Sequence, residues 1–121
     1  MQWNIHDDVR IVRDKIFRED LKQLAERWFG GEFVKAVVDV EQSIMAVGGE
    51  LHADEEALLL EEGSKQSNLW GINIYPAKTG DEWIEFDSMV NIRPRHNNRS
   101  RGVEDPVIRK KIVAVVSNLV S

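Results

Sequence analysis

Apolar residues recur with a helical period of about 3.6 residues near both ends of the chain, which predicts two amphipathic helices. The first helix starts near Arg18, and one of its faces would carry four apolar side chains: Phe17, Leu21, Leu24 and Trp28. Gly30 and Gly31 follow, and we expect them to end this helix because glycine adopts positive φ without strain.

The second predicted helix lies near the C-terminus and has a clear start signal. Asp105 is a favoured N-cap residue, and Pro106 suits the first helical position, where no backbone N–H is needed. The apolar stripe of this helix consists of Ile108, Ile112, Val115, Val116 and Leu119.

Valine-rich segments between these helices predict strands. Val9–Val12 has the length and composition of an edge strand, whereas residues 33–47 fit either a helix or a pair of strands. In the second interpretation, residues 34–41 and 44–52 pair through a turn at Gln42-Ser43. The many valines favour strands, because β-branched side chains suit a pleated surface.

The middle of the chain predicts a short helix and a hairpin. Asp54 is expected to cap an acidic helix that Gly63 ends. Residues 69–76 and 82–94 then form two strands joined by a turn that contains Gly80. Together these elements predict an α+β fold, with a small antiparallel sheet packed against N-terminal and C-terminal helices in two layers.

Length and composition narrow the class of protein. Residues 1–121 suffice for a single domain with one core. The absence of cysteine excludes disulfides, thiolate metal sites and cysteine nucleophiles. The charged N-terminus does not resemble a signal peptide, and no apolar run approaches the roughly 20 residues that cross a bilayer. We therefore expect a small cytoplasmic protein with no membrane partner.

Charge is distributed unevenly, although the net charge is only -5. Residues 50–87 contain two Lys/Arg against ten Asp/Glu, whereas residues 88–121 contain seven against two. This distribution predicts a local basic patch beside an acidic one. It argues against a protein that attracts nucleic acid by its overall charge.

His52 is the first candidate for chemistry. In an extended segment, Glu50, His52 and Asp54 would share one face, and a histidine beside carboxylates can act as an acid–base pair or a metal ligand. No second histidine stands at ligand spacing, so no metal site is assigned and the cofactor is unknown. The alternative is a structural His52, with Asp54 serving only as the helix cap.

Gly63–Gly71 is the second candidate, because its small polar residues and Lys65 can bind an anion through backbone N–H groups. The segment lacks the spacing of a phosphate-binding loop, so an ordered connection in which Trp70 packs into the core is the alternative.

The third candidate is the Arg-rich loop, residues 91–102, which concentrates four of the nine arginines: Arg93, Arg95, Arg99 and Arg101. Guanidinium groups bind phosphate or carboxylate through paired hydrogen bonds, and the loop offers further donors in Asn97, Asn98 and Ser100. In the alternative interpretation, these arginines pair with the protein's own acidic segment, residues 50–62.

Four motifs together, GGELHAD, GSKQSNLWGINIYP, NIRP and NNRS, resemble a family of small prokaryotic proteins known only as a domain of unknown function. The resemblance covers most of the chain and implies no activity, so it assigns no catalytic residue. It implies that a set of residues lies on the family's recurring pattern: His52, Asp54, Gln66, Trp70, Gly71, Asn73, Asn91, Arg93, Asn98, Arg99 and Ser100.

Two classes of function remain in view, and whether the protein is an enzyme stays open. The favoured one is a binding module for a phosphate-bearing ligand or a partner protein, with these candidate binding residues: Arg93, Arg99, Ser100, Asn98, Lys65, Gln66 and Asn73. The alternative is a small hydrolase, metal-assisted or not, with His52 and Asp54 as catalytic candidates. A homodimer is a third option, in which a second copy is the partner.

Overall fold

The computed structural model describes residues 9–121, which form an antiparallel sheet and three α-helices. The strands are β1 Arg10–Val12, β2 Val34–Asp39, β3 Ile44–Val47, β4 Leu69–Ile74 and β5 Ile84–Glu85. Their order in the sheet is β1-β3-β2-β4-β5. The helices are α1 Arg18–Trp28, α2 His52–Glu61 and α3 Pro106–Leu119. The predicted α+β class, with a sheet packed against N-terminal and C-terminal helices, is confirmed.

The ambiguous segment, residues 33–47, forms strands, as its valines indicated. β2 and β3 pair tightly, with Asp39 opposite Ile44, and Ser43 takes a positive φ of 57° in the turn. The Asp39 carboxylate stabilises this turn by accepting hydrogen bonds from the backbone N–H groups of Glu41 and Gln42 and, at 2.6 Å, from the Ser64 hydroxyl. These hydrogen bonds lower the pKa of Asp39, although its burial opposes them.

One face of the sheet carries the larger core, against α1 and α3. The start of α3 is as predicted, since the Asp105 carboxylate accepts from the Val107 N–H and Pro106 occupies the first turn. Phe17 was expected on the buried face of α1 but is 64% exposed, because it precedes the helix at the N-cap position. Ala25, which is fully buried, lies on that face instead.

The segment before α1 is joined to the last residues of the chain. The Ile16 N–H donates to the Leu119 carbonyl at 2.8 Å, and the Ser121 N–H donates to the Ile16 carbonyl at 2.9 Å. Ile16 and Val120 thereby form an isolated parallel bridge beyond the end of α3. This bridge holds α1 and α3 together over the sheet.

Helix α2 packs on the opposite face, where its Leu59 meets Val37, Ile44, Ala46 and Leu69. It therefore adds a partial layer to the expected two. The prediction that Asp54 caps this helix was wrong, because the N-cap is Leu51, three residues earlier, and Asp54 lies within the first turn.

The predicted hairpin forms, but its second strand is much shorter than residues 82–94. Only β5 pairs with β4, and the chain then turns into a short 3-10 helix, Met89–Asn91. The strand ends early because, beyond Glu85, the chain contacts the edge of β4 through side chains and not through its backbone. Because of this change, the segment can form the wall of a cleft.

Within residues 9–121, no helix is long and apolar enough to cross a membrane. The charged N-terminal stretch, residues 1–8, lies outside the described residues, as does the prediction made from it.

Candidate functional site

Three polar side chains form a row across the α2 face of the sheet. Lys35 of β2 stands opposite Asn73 of β4, and Asn73 stands opposite Glu85 of β5. Residues paired directly across antiparallel strands project on the same side of a sheet, so the three share one face. Helix α2 leaves this part of the face uncovered.

The row is the floor of a cleft of about 390 Å³, which is within the size range of small-molecule sites. One wall is the start of α2, formed by Leu51, His52 and Ala53. The other wall is the segment from Ser88 to Val90, and three further side chains complete the lining: Phe33, Asp87 and Arg101. Leu51 and Met89 are 52% and 65% exposed, so the mouth of the cleft is apolar.

The second wall can approach β4 only because residue 71 is glycine. A Cβ atom on Gly71 would lie 2.6 Å from both Cβ and Oγ of Ser88, a separation that real atoms do not adopt. Asn91 fixes the same approach, since its side-chain amide pairs with the backbone N–H and C=O of Gly71 at 2.8 and 2.9 Å. The wall is thus anchored by two buried contacts.

His52 lies between the helix and the floor and is 8% exposed. Its Nε2 is 2.8 Å from the carbonyl oxygen of Ile72, which can only accept, so Nε2 carries the proton. Burial lowers the pKa of His52 to about 4, and the positive charge of Lys35 contributes to the same effect. At neutral pH His52 is therefore an uncharged imidazole whose Nδ1 is a hydrogen-bond acceptor.

Of the four charged side chains that line the cleft, Asp87 and Arg101 form an ion pair, whereas Lys35 and Glu85 form none within the described part of the chain. Arg101 Nε donates to the Asp87 carboxylate at 2.6 Å, and Glu85 Oε1 accepts from the side chains of Asn73 at 2.8 Å and Tyr75 at 3.3 Å. The half-buried Lys35 ammonium lies 5.2 Å from the ring of Phe29 and forms no ion pair with any residue in 9–121.

The start of α2 adds a second source of positive potential. Its N-cap residue, Leu51, has no side chain that can accept from the first-turn N–H groups, and no side-chain cap is formed. Uncapped N–H groups at a helix N-terminus favour a negative charge nearby. The cleft is therefore bordered by a free lysine and a helix N-terminus.

Five of the described residues have a buried side-chain atom that lacks a hydrogen-bond partner, and of these five only Asn73 lines the cleft. It is 6% exposed, and its Oδ1 has no hydrogen-bond partner in the described part of the chain. A buried oxygen without a donor is costly in a folded protein and suggests a group that is completed by something bound.

The structure brings three of the sequence-predicted site residues into this cleft: His52, Asn73 and, from the Arg-rich loop, Arg101. Arg93 points inward: its guanidinium donates to the carbonyls of Gln66 and, at 2.6 Å, Leu69, and stacks 4.1 Å above the Trp70 ring. It is 8% exposed, and burial lowers its pKa, while the charge of Glu56 opposes that shift.

The rest of the Arg-rich loop is organised by its own side chains. Asn98 is buried, donates to the carbonyls of Asn91 and Gly102, both at 2.8 Å, and accepts from the Glu104 N–H. The Glu104 carboxylate in turn accepts from the N–H groups of Arg99 and Ser100 at 2.6 and 2.9 Å. These N–H groups could attract an external anion, but they already bind the Glu104 carboxylate. Their hydrogen bonds lower the pKa of Glu104.

The other candidate residues lie away from the cleft. Lys65 is exposed at the rim of a second, shallower depression, which Gln42 and Ser67 also line. Gln66 uses its carbonyl to hold Arg93, and Asp54 is not among the residues lining the cleft. Residues 9–121 contain no group of three His, Asp or Glu side chains that could hold a metal ion.

Lys35 and Glu85 were not among the site residues predicted from the sequence. Lys35 is the one charge in the interior of the segment VKAVV, and a lone lysine in a strand that is otherwise buried was the available signal. Glu85 gave no comparable signal, because it stands in a regular alternation of polar and apolar residues.

Comparisons with known proteins agree with the resemblance found in the motifs. No curated protein and no solved structure gives a significant match to the chain. A family model does match, over residues 10–119, and its description is a protein of unknown function, DUF5674. The match covers most of the chain, including both walls and the floor of the cleft, and the protein therefore belongs to the DUF5674 family.

Proposed function

We propose that the protein binds a small ligand with an anionic group and an apolar part in the cleft between the start of α2 and residues 88–90. The observation that carries this proposal is Lys35. It is half-buried on the floor and has no carboxylate partner in residues 9–121. The two carboxylates that line the same cleft, Glu85 and Asp87, accept hydrogen bonds from the side chains of Asn73 and Arg101. A carboxylate or phosphate of the ligand would supply the missing partner.

The start of α2 supports the same position for the anion. The amides of the first turn lie in the wall beside His52, which lines the cleft and whose pKa responds to the charge of Lys35. Helix N-terminus and lysine therefore favour negative charge in one place. The exposed Leu51 and Met89 would cover the apolar part of the ligand.

An NMR titration with 4-methylpentanoate, a carboxylate with a branched apolar tail, tests the proposal. The amide signals of residues 51–53 should shift and saturate, and Lys35→Gln should weaken binding about tenfold, which corresponds to about 1.4 kcal/mol. The matched control is Lys110→Gln, an exposed lysine on α3, which should leave the affinity unchanged.

Two results would contradict this site. One is an unchanged affinity in Lys35→Gln at an unchanged melting temperature. The other is loss of binding in Arg99→Gln with shifts confined to residues 99–101, which would place the anion in the Arg-rich loop.

A further inference from the structure

The cleft contains hydrogen-bond acceptors that no group in residues 9–121 satisfies. The first is Nδ1 of His52, because Nε2 holds the proton and donates to Ile72. The second is Oδ1 of Asn73, and the third is Oε2 of Glu85, whose other oxygen takes both of its hydrogen bonds. Water can reach the exposed Glu85, but an anionic ligand that brings no donor would leave Oδ1 of Asn73 buried without a partner.

The charges of the cleft lead to the same requirement. Asp87 and Arg101 neutralise each other, which leaves one positive charge, Lys35, and one negative charge, Glu85. These two stand on either side of Asn73 in the row and form no ion pair, since two strand spacings of about 4.8 Å separate their backbones. A ligand with net negative charge would satisfy Lys35 and be repelled by Glu85.

A zwitterion meets both requirements. Its carboxylate pairs with Lys35 and the start of α2, and its ammonium group brings three N–H donors to Glu85 and the neighbouring Asn73. We infer that the ligand of this cleft is amphoteric: an amino acid or a similar short zwitterion with an apolar side chain, bound between Lys35 and Glu85. This inference rests on the proposed function and specifies the chemical class of its ligand.

Three probes that share one branched apolar tail test the inference: leucine, 4-methylpentanoate, which lacks its amine, and 3-methylbutylamine, which lacks its carboxylate. In NMR titrations leucine should bind at least about tenfold more tightly than either. Glu85→Gln should bring leucine and 4-methylpentanoate to about the same affinity, because the ammonium group loses its charged partner. Lys110→Gln serves as the control and should preserve the order.

The outcomes separate the inference from the function on which it rests. If 4-methylpentanoate binds as tightly as leucine and Lys35→Gln weakens both, the anion site stands and the zwitterion is refuted. A leucine preference that survives Glu85→Gln also refutes the assigned role of Glu85. If none of the three shifts the signals of residues 51–53 at millimolar concentration, both the site and its ligand class are refuted.

Discussion

The side chain of Asn91 takes the place of a strand partner for Gly71. Its Oδ1 accepts from the Gly71 N–H at 2.8 Å, and its Nδ2 donates to the Gly71 C=O at 2.9 Å. The same Nδ2 also donates to the Arg101 carbonyl at 2.9 Å. A single fully buried amide thus joins the edge of β4, one wall of the cleft and the Arg-rich loop.

Asn91→Ala should destabilise the protein by about 3 kcal/mol, because it leaves the backbone N–H and C=O of Gly71 buried without partners. The free energy of unfolding in urea measures the effect. Asn118→Ala, at an exposed position on α3, is the control and should change stability by less than about 0.5 kcal/mol. Equal effects of the two substitutions would contradict the role assigned to Asn91.

Gly71→Ala should cost about 1–3 kcal/mol, because the new methyl group overlaps Ser88. In Gly71→Ala/Ser88→Gly the overlap is reduced, and part of the loss should be recovered. Gly102→Ala is the matched control, since its Cβ would meet its nearest neighbour in the fold, the Phe86 carbonyl oxygen, at an ordinary 3.5 Å. The melting temperatures of the variants measure these differences. A double variant no more stable than Gly71→Ala would show that Ser88 is not the obstacle.

Arg93→Lys should lower stability by about 1–3 kcal/mol, because a lysine cannot reach two carbonyls with a planar fork and stack on Trp70 at once. Arg99→Lys, on the exposed part of the same loop, should be neutral within about 0.5 kcal/mol. Denaturation in urea compares them. If Arg93→Lys were as stable as the parent, the contacts of this guanidinium would not contribute to the fold.

Glu55→Gln should stabilise the protein at neutral pH. Glu55 is fully buried between α2 and the sheet, and its burial raises its pKa well above the usual value, although its hydrogen bond from the Gly49 N–H opposes this. A raised pKa means that the folded state retains a proton that the unfolded state has lost, so stability falls as pH rises above about 4.5.

The measurement for Glu55 is the free energy of unfolding of parent and variant at about pH 4 and pH 7.5. The advantage of Glu55→Gln should be present at the higher pH and absent at the lower. Parallel pH profiles for the two proteins would contradict a protonated Glu55.

The contribution of His52 to stability should change with pH in the direction opposite to that of Glu55. Its pKa is lowered to about 4 by burial, so the stability that the neutral ring contributes is complete above pH 6.5 and is lost as pH falls towards 4. NMR shifts of the ring follow the titration directly. His52→Gln, which retains a donor for Ile72, should remove this part of the acid sensitivity; a ring that titrates near 6.5 would refute the buried, neutral state.

The elements that the sequence predicted well have local causes. The Asp105-Pro106 start of α3, the valine-rich strands β2 and β3 and the edge strand β1 each depend on residues that are close in sequence. In these segments, propensity, capping and hydrophobic period point to the same structure, and tertiary contacts do not overrule them.

The inward orientation of the Arg93 side chain could not be predicted from residues close in sequence. The carbonyls that it binds lie 24 and 27 residues away and converge only when the Gln66–Asn68 turn and β4 have formed. The length of β5 was overestimated for the same reason, since it ends where Ser88 and Asn91 contact Gly71, and the Asn91 contact spans 20 residues. The cleft is formed by such contacts between residues distant in sequence. On its floor, the one local signal in the sequence is the lone charge of Lys35 within a buried strand.

The bridge between Ile16 and Val120 also has a consequence for the order of folding. Lys15 and Asn118, which form a hydrogen bond beside it, are 103 positions apart, so this junction closes a loop of almost the whole chain. Closing so long a loop is slow compared with forming a hairpin such as β2-β3. During synthesis on the ribosome, the residues around Ile16 emerge early and must wait for their partners, and α1 should therefore be among the last elements to settle into place.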